Sequence, residues 1–190
     1  SHYDMASYIY ECIPTFENAV NCSAAGAQLQ KTGSNNAWDA YARSVECGQA
    51  GSFLVSFSPC QISTCAVALG TASQESDLAA PHYQLRLAAN GTATVYEDNV
   101  STEATIAYES GDIFRIEASD SRVRYYHQSP LTLSGTLLHS SDICYSLGED
   151  ARGLFYLNTV GMTLDQIRVQ SGVSGSIRYI EDRLSINRLY

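Results

Sequence analysis

The chain has 190 residues, 45% of them hydrophobic and 16% charged, with a formal net charge of −9. It is long enough to bury one sizeable core, and no run approaches the roughly 18 apolar residues that a membrane-spanning helix needs. Its single lysine, Lys31, and its scattered arginines form no basic stripe that could neutralise a phosphate backbone, so neither membrane insertion nor nucleic-acid binding is expected.

In chain order, Met5 to Tyr10 is apolar, and Ala24 to Gln30 has a loose helical period over too few residues to commit to a helix. Trp38 stands at the edge of a strand pattern and is expected to anchor the core. Phe53, Val55 and Phe57 alternate onto one strand face, as do Tyr83, Leu85 and Leu87. Ala89-Asn90-Gly91 then supplies tight-turn chemistry leading into Thr92 to Tyr96, which predicts a hairpin. A meander follows through Ile106 to Tyr108, the turn at Ser110-Gly111-Asp112, Phe114 and Ile116, a break at Ser119-Asp120-Ser121, and Val123 and Tyr125. Later strands are expected at Thr136 to Leu138, Gly153 to Leu157 and Met162 to Val169, each bounded by Gly, Ser or Asp.

Many short strands without intervening helices predict an all-β fold, a two-sheet antiparallel jelly-roll sandwich with terminal strand extensions. The whole of 1–190 reads as a single domain, with its core at about 38–169, an N-terminal segment 1–37, and a C-terminal strand-like extension 170–190. Ser1 in place of methionine, with no apolar leader, is what a mature secreted product would show.

Gly111-Asp112-Ile113-Phe114-Arg115-Ile116-Glu117 followed by Val123-Arg124-Tyr125-Tyr126 resembles a recurring pattern of concanavalin A-like jelly-roll domains related to laminin-G modules. Leu85 to Glu97 resembles the preceding hairpin of such domains, Trp38-Asp39-Ala40 and Gly51 to Phe57 their first strands, and Thr163 to Val169 their closing strand. The resemblance spans Trp38 to Val169 and implies the sandwich fold and, as one of its uses, carbohydrate binding. The chain departs from the pattern in the longer His127-Gln128-Ser129-Pro130 segment after the paired tyrosines, and in its cysteines.

Six cysteines, Cys12, Cys22, Cys47, Cys60, Cys65 and Cys144, suit disulfides in an oxidising compartment better than a zinc site, since their spacing lacks repeated close pairs. Of fifteen possible connectivities, proximity favours Cys60 with Cys65 and Cys12 with Cys22, leaving Cys47 with Cys144. Asn21-Cys22-Ser23, Asn90-Gly91-Thr92 and Asn99-Val100-Ser101 make Asn21, Asn90 and Asn99 candidate N-glycosylation sites. Together these features point to a secreted or cell-surface protein.

No constellation predicts catalysis or a cofactor. The adjacent pairs Glu149-Asp150 and Glu181-Asp182 lack the spacing of a glycosidase carboxylate pair, and no Gly-x-Ser-x-Gly elbow accompanies His127 or His139. Asp77, Asp98, Asp112 and Asp120 lie near turns, where they serve as turn-formers rather than calcium ligands. Tyr83, Tyr96, Tyr108, Tyr125 and Tyr156, with Trp38, are the aromatics a sugar could stack on, although a sandwich core needs aromatics of its own. The extension supplies Ile177, Tyr179, Leu184 and Ile186 with Arg178, Arg183 and Arg188 as a strand that another copy could accept. The leading expectation is therefore a non-enzymatic, self-assembling fibre subunit joined by terminal strand exchange, with copies of itself as partner. The alternative is a lectin-like or adhesion module that binds glycans.

Overall fold

Fifteen strands lie among the residues described by the computed structural model, namely 11–47, 51–119, 122–132, 134–142 and 150–173. In chain order they are β1 (Glu11–Cys12), β2 (Phe16–Val20), β3 (Cys22–Ala25), β4 (Gln28–Lys31), β5 (Ala40–Cys47), β6 (Gly51–Pro59), β7 (Cys65–Gly70), β8 (Tyr83–Leu87), β9 (Thr92–Glu97), β10 (Val100–Ala107), β11 (Ile113–Ser119), β12 (Arg122–Gln128), β13 (Thr136–Ser140), β14 (Arg152–Leu157) and β15 (Thr163–Val173). Every described ladder is antiparallel. One sheet runs β13-β12-β11-β6-β15-β4-β3 with β1 paired to β15, and the other runs β10-β9-β8-β7-β14-β5-β2. This is the predicted two-sheet antiparallel jelly-roll sandwich.

The inward faces carry the core. Phe53, Val55 and Phe57 of β6, Phe114 and Ile116 of β11, and Tyr125 of β12 meet Val67, Leu69, Leu85, Leu87, Phe155 and Leu157 from the opposite sheet, all of them buried. Phe57 stacks on Phe114 with ring centroids 5.6 Å apart, and Tyr108 meets Phe114 edge-on at 5.9 Å. Emptying one of these phenylalanine sites to alanine removes about 3–5 kcal/mol. A smaller cluster of Ala66, Ala68, Leu154 and Tyr156 lies on the outer face of the second sheet, packed with Leu78 under the 71–82 connection. There Tyr156 donates to the Gln74 carbonyl at 2.8 Å.

The expected hairpin is β8–β9, turned by Asn90-Gly91 with Gly91 at φ 86, a conformation that L side chains rarely adopt. Of the expected meander only β11 and β12 pair: Ile106 lies on β10 of the second sheet, so the turn at Ser110-Gly111-Asp112 carries the chain from one sheet to the other. The closing strand β15 continues past Val169 to Val173 alongside β6. Two further stretches take their place in the sheets. The loose helical period at 24–30 is the hairpin β3–β4, bent at Gly26 with φ 59 and held to the first sheet by β15. Residues 16–31, ahead of Trp38, are integral to the sandwich: β2 pairs β5, β4 pairs β15, and Leu29 is fully buried. Met5 to Tyr10 and Ile177, Arg178, Tyr179, Arg183, Leu184, Ile186 and Arg188 lie outside the described residues.

Candidate functional site

Trp38 is 41% exposed, so it is not the core anchor that its place in the sequence suggests. The reason is local: inward packing begins at Ala40 and Ala42 on β5, and Trp38 belongs to the segment that precedes that strand. Four of the tyrosines that could serve as sugar platforms have the opposite fate. Tyr83, Tyr108, Tyr125 and Tyr156 are buried. Tyr96 is half-buried, with the Arg86 guanidinium 4.0 Å from its ring centroid. Of these six aromatics, Trp38 is the one that counts as exposed.

The loops around Trp38 are tied together by hydrogen bonds of several kinds. Lys31, at the end of β4, has a fully buried side chain, and its ammonium donates to Ala37 O, Asp39 Oδ1 and Asn158 O, each at 2.7 Å. Asn36 Oδ1 accepts from Val160 N at 2.8 Å, joining the same segment to the β14–β15 connection. Asn21 Nδ2 donates to Asp39 O at 2.8 Å, and Asn21 O accepts from the Thr32 and Gly33 amides. The β6–β7 connection joins from the other side, where Thr64 N donates to Thr159 Oγ1 at 3.0 Å. The result is a loop cluster at one end of the sandwich. Ser34, Asn35 and Asn36 are exposed beside Trp38, and Val160 and Ile62 are exposed on the adjoining loops.

A concavity of about 290 Å³ lies elsewhere, on the outer face of the first sheet, lined in part by Leu54, Ser56, Arg115, Tyr126 and Gln128. The Arg115 guanidinium sits 4.5 Å from the Tyr126 ring centroid there, and Glu117 lies 3.8 Å from Arg115. On the outer face of the second sheet, Arg43 and Arg152 share Glu17 at 2.8 Å each, and Arg43 also reaches Glu75 at 3.0 Å. The hydrogen bond from Arg43 holds the Glu17 carboxyl below its usual range.

The remaining candidates serve local structure. Asp77 accepts from the Ala79 amide, Asp112 from the Glu109 amide and from His127 at 2.7 Å, and Asp98 occupies a left-handed turn position at φ 53. His139 approaches Glu97 at 3.4 Å. Among the described residues no three His, Cys, Asp or Glu side chains converge as metal ligands. Asp120, Glu149, Glu181 and Asp182 lie outside the described residues, and Asp150 is exposed.

Asn21, Asn90 and Asn99 are all exposed at turns. Asn90 Oδ1 accepts from the Thr92 hydroxyl at 2.8 Å, and Asn99 Oδ1 from Arg86 at 2.6 Å. The cysteine pairings inferred from proximity are not formed. Cys60 follows β6 of the first sheet, whereas Cys65 begins β7 of the second and points into the core, where burial pushes its thiol pKa up. Cys22 is likewise a free thiol, donating to the Tyr41 carbonyl at 3.3 Å rather than bonding to Cys12. Cys144 and the Cys47 side chain lie outside the described residues.

Sequence reasoning does not single out Lys31, Asn36, Asp39 and Asn158 as site residues. The one available signal is that the only lysine of an acidic chain precedes an Asn-Asn-Ala-Trp-Asp run by a few residues.

No protein-family model matches the chain, and no curated protein matches it. Solved structures do. The VIP36 exoplasmic/lumenal domain in its Ca2+/Man3GlcNAc-bound form superimposes with a TM-score of 0.59 at 7% identity, covering 87% of this chain and 90% of that one. The SPRY domain of human HERC1 gives 0.57 at 12% identity, covering 80% and 94%. A lectin from Bauhinia forficata in complex with GalNAc gives 0.54 at 11% identity, covering 88% and 94%. At these identities the likeness carries the fold, which is concanavalin A-like.

Proposed function

We propose that this chain is a glycan-binding module whose contact surface is the loop cluster around Trp38. The observation that carries the reading is the exposed indole on loops fixed by the Lys31 ammonium, with Asn35, Asn36 and Ser34 exposed beside it. An indole face stacks on the apolar face of a pyranose, neighbouring amides and hydroxyls meet the sugar hydroxyls, and a preorganised loop loses little entropy on binding. Two of the structural neighbours are described with bound sugar, Man3GlcNAc for VIP36 and GalNAc for the Bauhinia lectin, which supports the reading. The same neighbours favour a recognition module over a fibre subunit, and strand exchange through residues 177–190 gains no support from them.

An extracellular or lumenal setting goes with this function. Three exposed sequon asparagines support N-glycosylation at Asn21, Asn90 and Asn99, and VIP36 is described as an exoplasmic/lumenal domain. A glycan array probed with the chain and with Trp38→Ala tests the proposal. The protein is first stripped of its own N-glycans, because Asn21 stands on the same loop cluster. Selective binding to a sugar class, lost in the variant while its circular dichroism spectrum is unchanged, is the expected result. Binding that survives Trp38→Ala would overturn the assignment of the site, and an array without hits would overturn the function.

A further inference from the structure

An alkylammonium has three N–H donors and no acceptor, and Lys31 directs all three at oxygens 2.7 Å away. Two of these oxygens belong to Ala37 and Asp39, the residues on either side of Trp38, and the third belongs to Asn158 on the β14–β15 connection. Distances this short are those of charge-assisted hydrogen bonds, and a side chain with no exposure has no water to fall back on. Three oxygens from two loops around a positive centre make a half-shell like that around a bound metal ion, except that this cation is tethered to β4.

We propose that Lys31 is a positioning residue for the Trp38 site: a built-in cation that holds the indole in its binding geometry, so that recognition at this cluster needs no divalent ion. This rests on the reading of Trp38 as the contact residue. Without the ammonium, the Ala37 and Asn158 carbonyls lose their charged donor, the 37% exposed Asp39 carboxylate turns to water, and the loops move apart. Two bonds would still tether the Trp38 segment, Asn36 Oδ1 with Val160 N and Asn21 Nδ2 with Asp39 O, so the loss concerns mobility more than attachment.

Trp38 is the only tryptophan and Lys31 the only lysine, so each has a private signal. The decisive experiment measures the fluorescence anisotropy decay of Trp38 in the native chain and in Lys31→Ala. It is repeated with n-propylammonium, which replaces the deleted atoms, and with n-propanol as the uncharged control. The expected result is a new fast component in Lys31→Ala that propylammonium suppresses and propanol does not. In native protein, EDTA should leave the decay unchanged. Asp39→Asn, which keeps shape and removes charge, should mobilise Trp38 partially and raise the acetylation of Lys31 read by mass; it decides the matter if Lys31→Ala does not fold.

A native-like decay in Lys31→Ala, a fast component that only Ca2+ suppresses, or an EDTA effect on the native chain would each overturn the proposal, as would an Asp39→Asn chain with unchanged decay. The readout needs no sugar. A chain that binds no glycan would therefore remove the function proposed above while leaving the anisotropy result standing.

Discussion

Lys31 and Arg43 both bridge segments distant in sequence, and they do so in opposite surroundings. The Lys31 side chain is fully buried and its three donors are fully used, two of them on backbone carbonyls, whereas the Arg43 side chain is 19% exposed and shares Glu17 with Arg152 on the outer face of the second sheet. The carboxylate partners, Asp39 at 37% and Glu17 at 36%, are alike. The same unit charge is therefore indispensable in one place and adjustable in the other. Removing a buried ammonium takes the donor from the carbonyls it satisfied, while water and salt replace most of what a surface pair provides. The contrast shows where the chain commits charge to geometry, and that place is the loop cluster carrying Trp38.

The largest effect should come from Lys31→Met. The substitution keeps the apolar stem and removes the charge, and about 3 kcal/mol of stability should be lost in urea unfolding, nearly independent of salt. A loss that disappeared at high salt would mean that Lys31 behaves like Arg43.

Alkaline unfolding calibrates the core between the two regions. Burial pushes the Tyr108 hydroxyl up to about 12, and Tyr125 and Tyr156 are raised as well, all by burial first. Tyrosines in the unfolded chain ionise near 10, so the stabilisation from these neutral hydroxyls is complete below that pH and falls as pH rises from about 10 towards 12. Tyr108→Phe should flatten that limb in a pH series of thermal melts.

A smaller, salt-sensitive effect is expected on the exposed side. The Glu17 pKa is lowered by its hydrogen bond to Arg43, so its contribution is present above the ordinary carboxylate pKa and disappears as pH falls through the lowered value. Arg43→Ala should shift the acid limb of the melting curve at low salt and do almost nothing at about 1 M salt, where the screening length is roughly 3 Å. The smallest stability change belongs to Trp38→Ala, within about 0.5 kcal/mol of the native chain because the side chain is not part of the core. The same substitution should weaken glycan affinity about tenfold or more, as loss of a central aromatic anchor does.

The strands whose side chains alternate cleanly are legible in the amino-acid order itself. Phe114-Ile116 with Val123-Tyr125 carry period-two burial that local sequence reports directly, and Tyr83-Leu85-Leu87 with the Asn90-Gly91 turn alternate in residue type although Gln84 is buried as well. Strands β5 and β7 are not legible in this way. Cys65 to Gly70 is buried at every position because the 71–82 connection covers its outer face, so it shows no alternation to read. Strand β3 is mostly exposed, and the pairing of the β3–β4 hairpin with β15 comes from the other end of the chain. The site is the least legible part. Trp38 can be read as core or as contact, and only the three-dimensional start of inward packing at Ala40 decides between them. The function of Lys31 depends on Asn158, more than a hundred residues away.

The most direct test of Trp38 as the sugar contact is its own emission during titration with a glycan selected from the array, since no other tryptophan contributes. A saturable shift or quench whose midpoint equals the calorimetric Kd is predicted. Calorimetric binding of the same glycan with an unaltered emission spectrum would contradict the account.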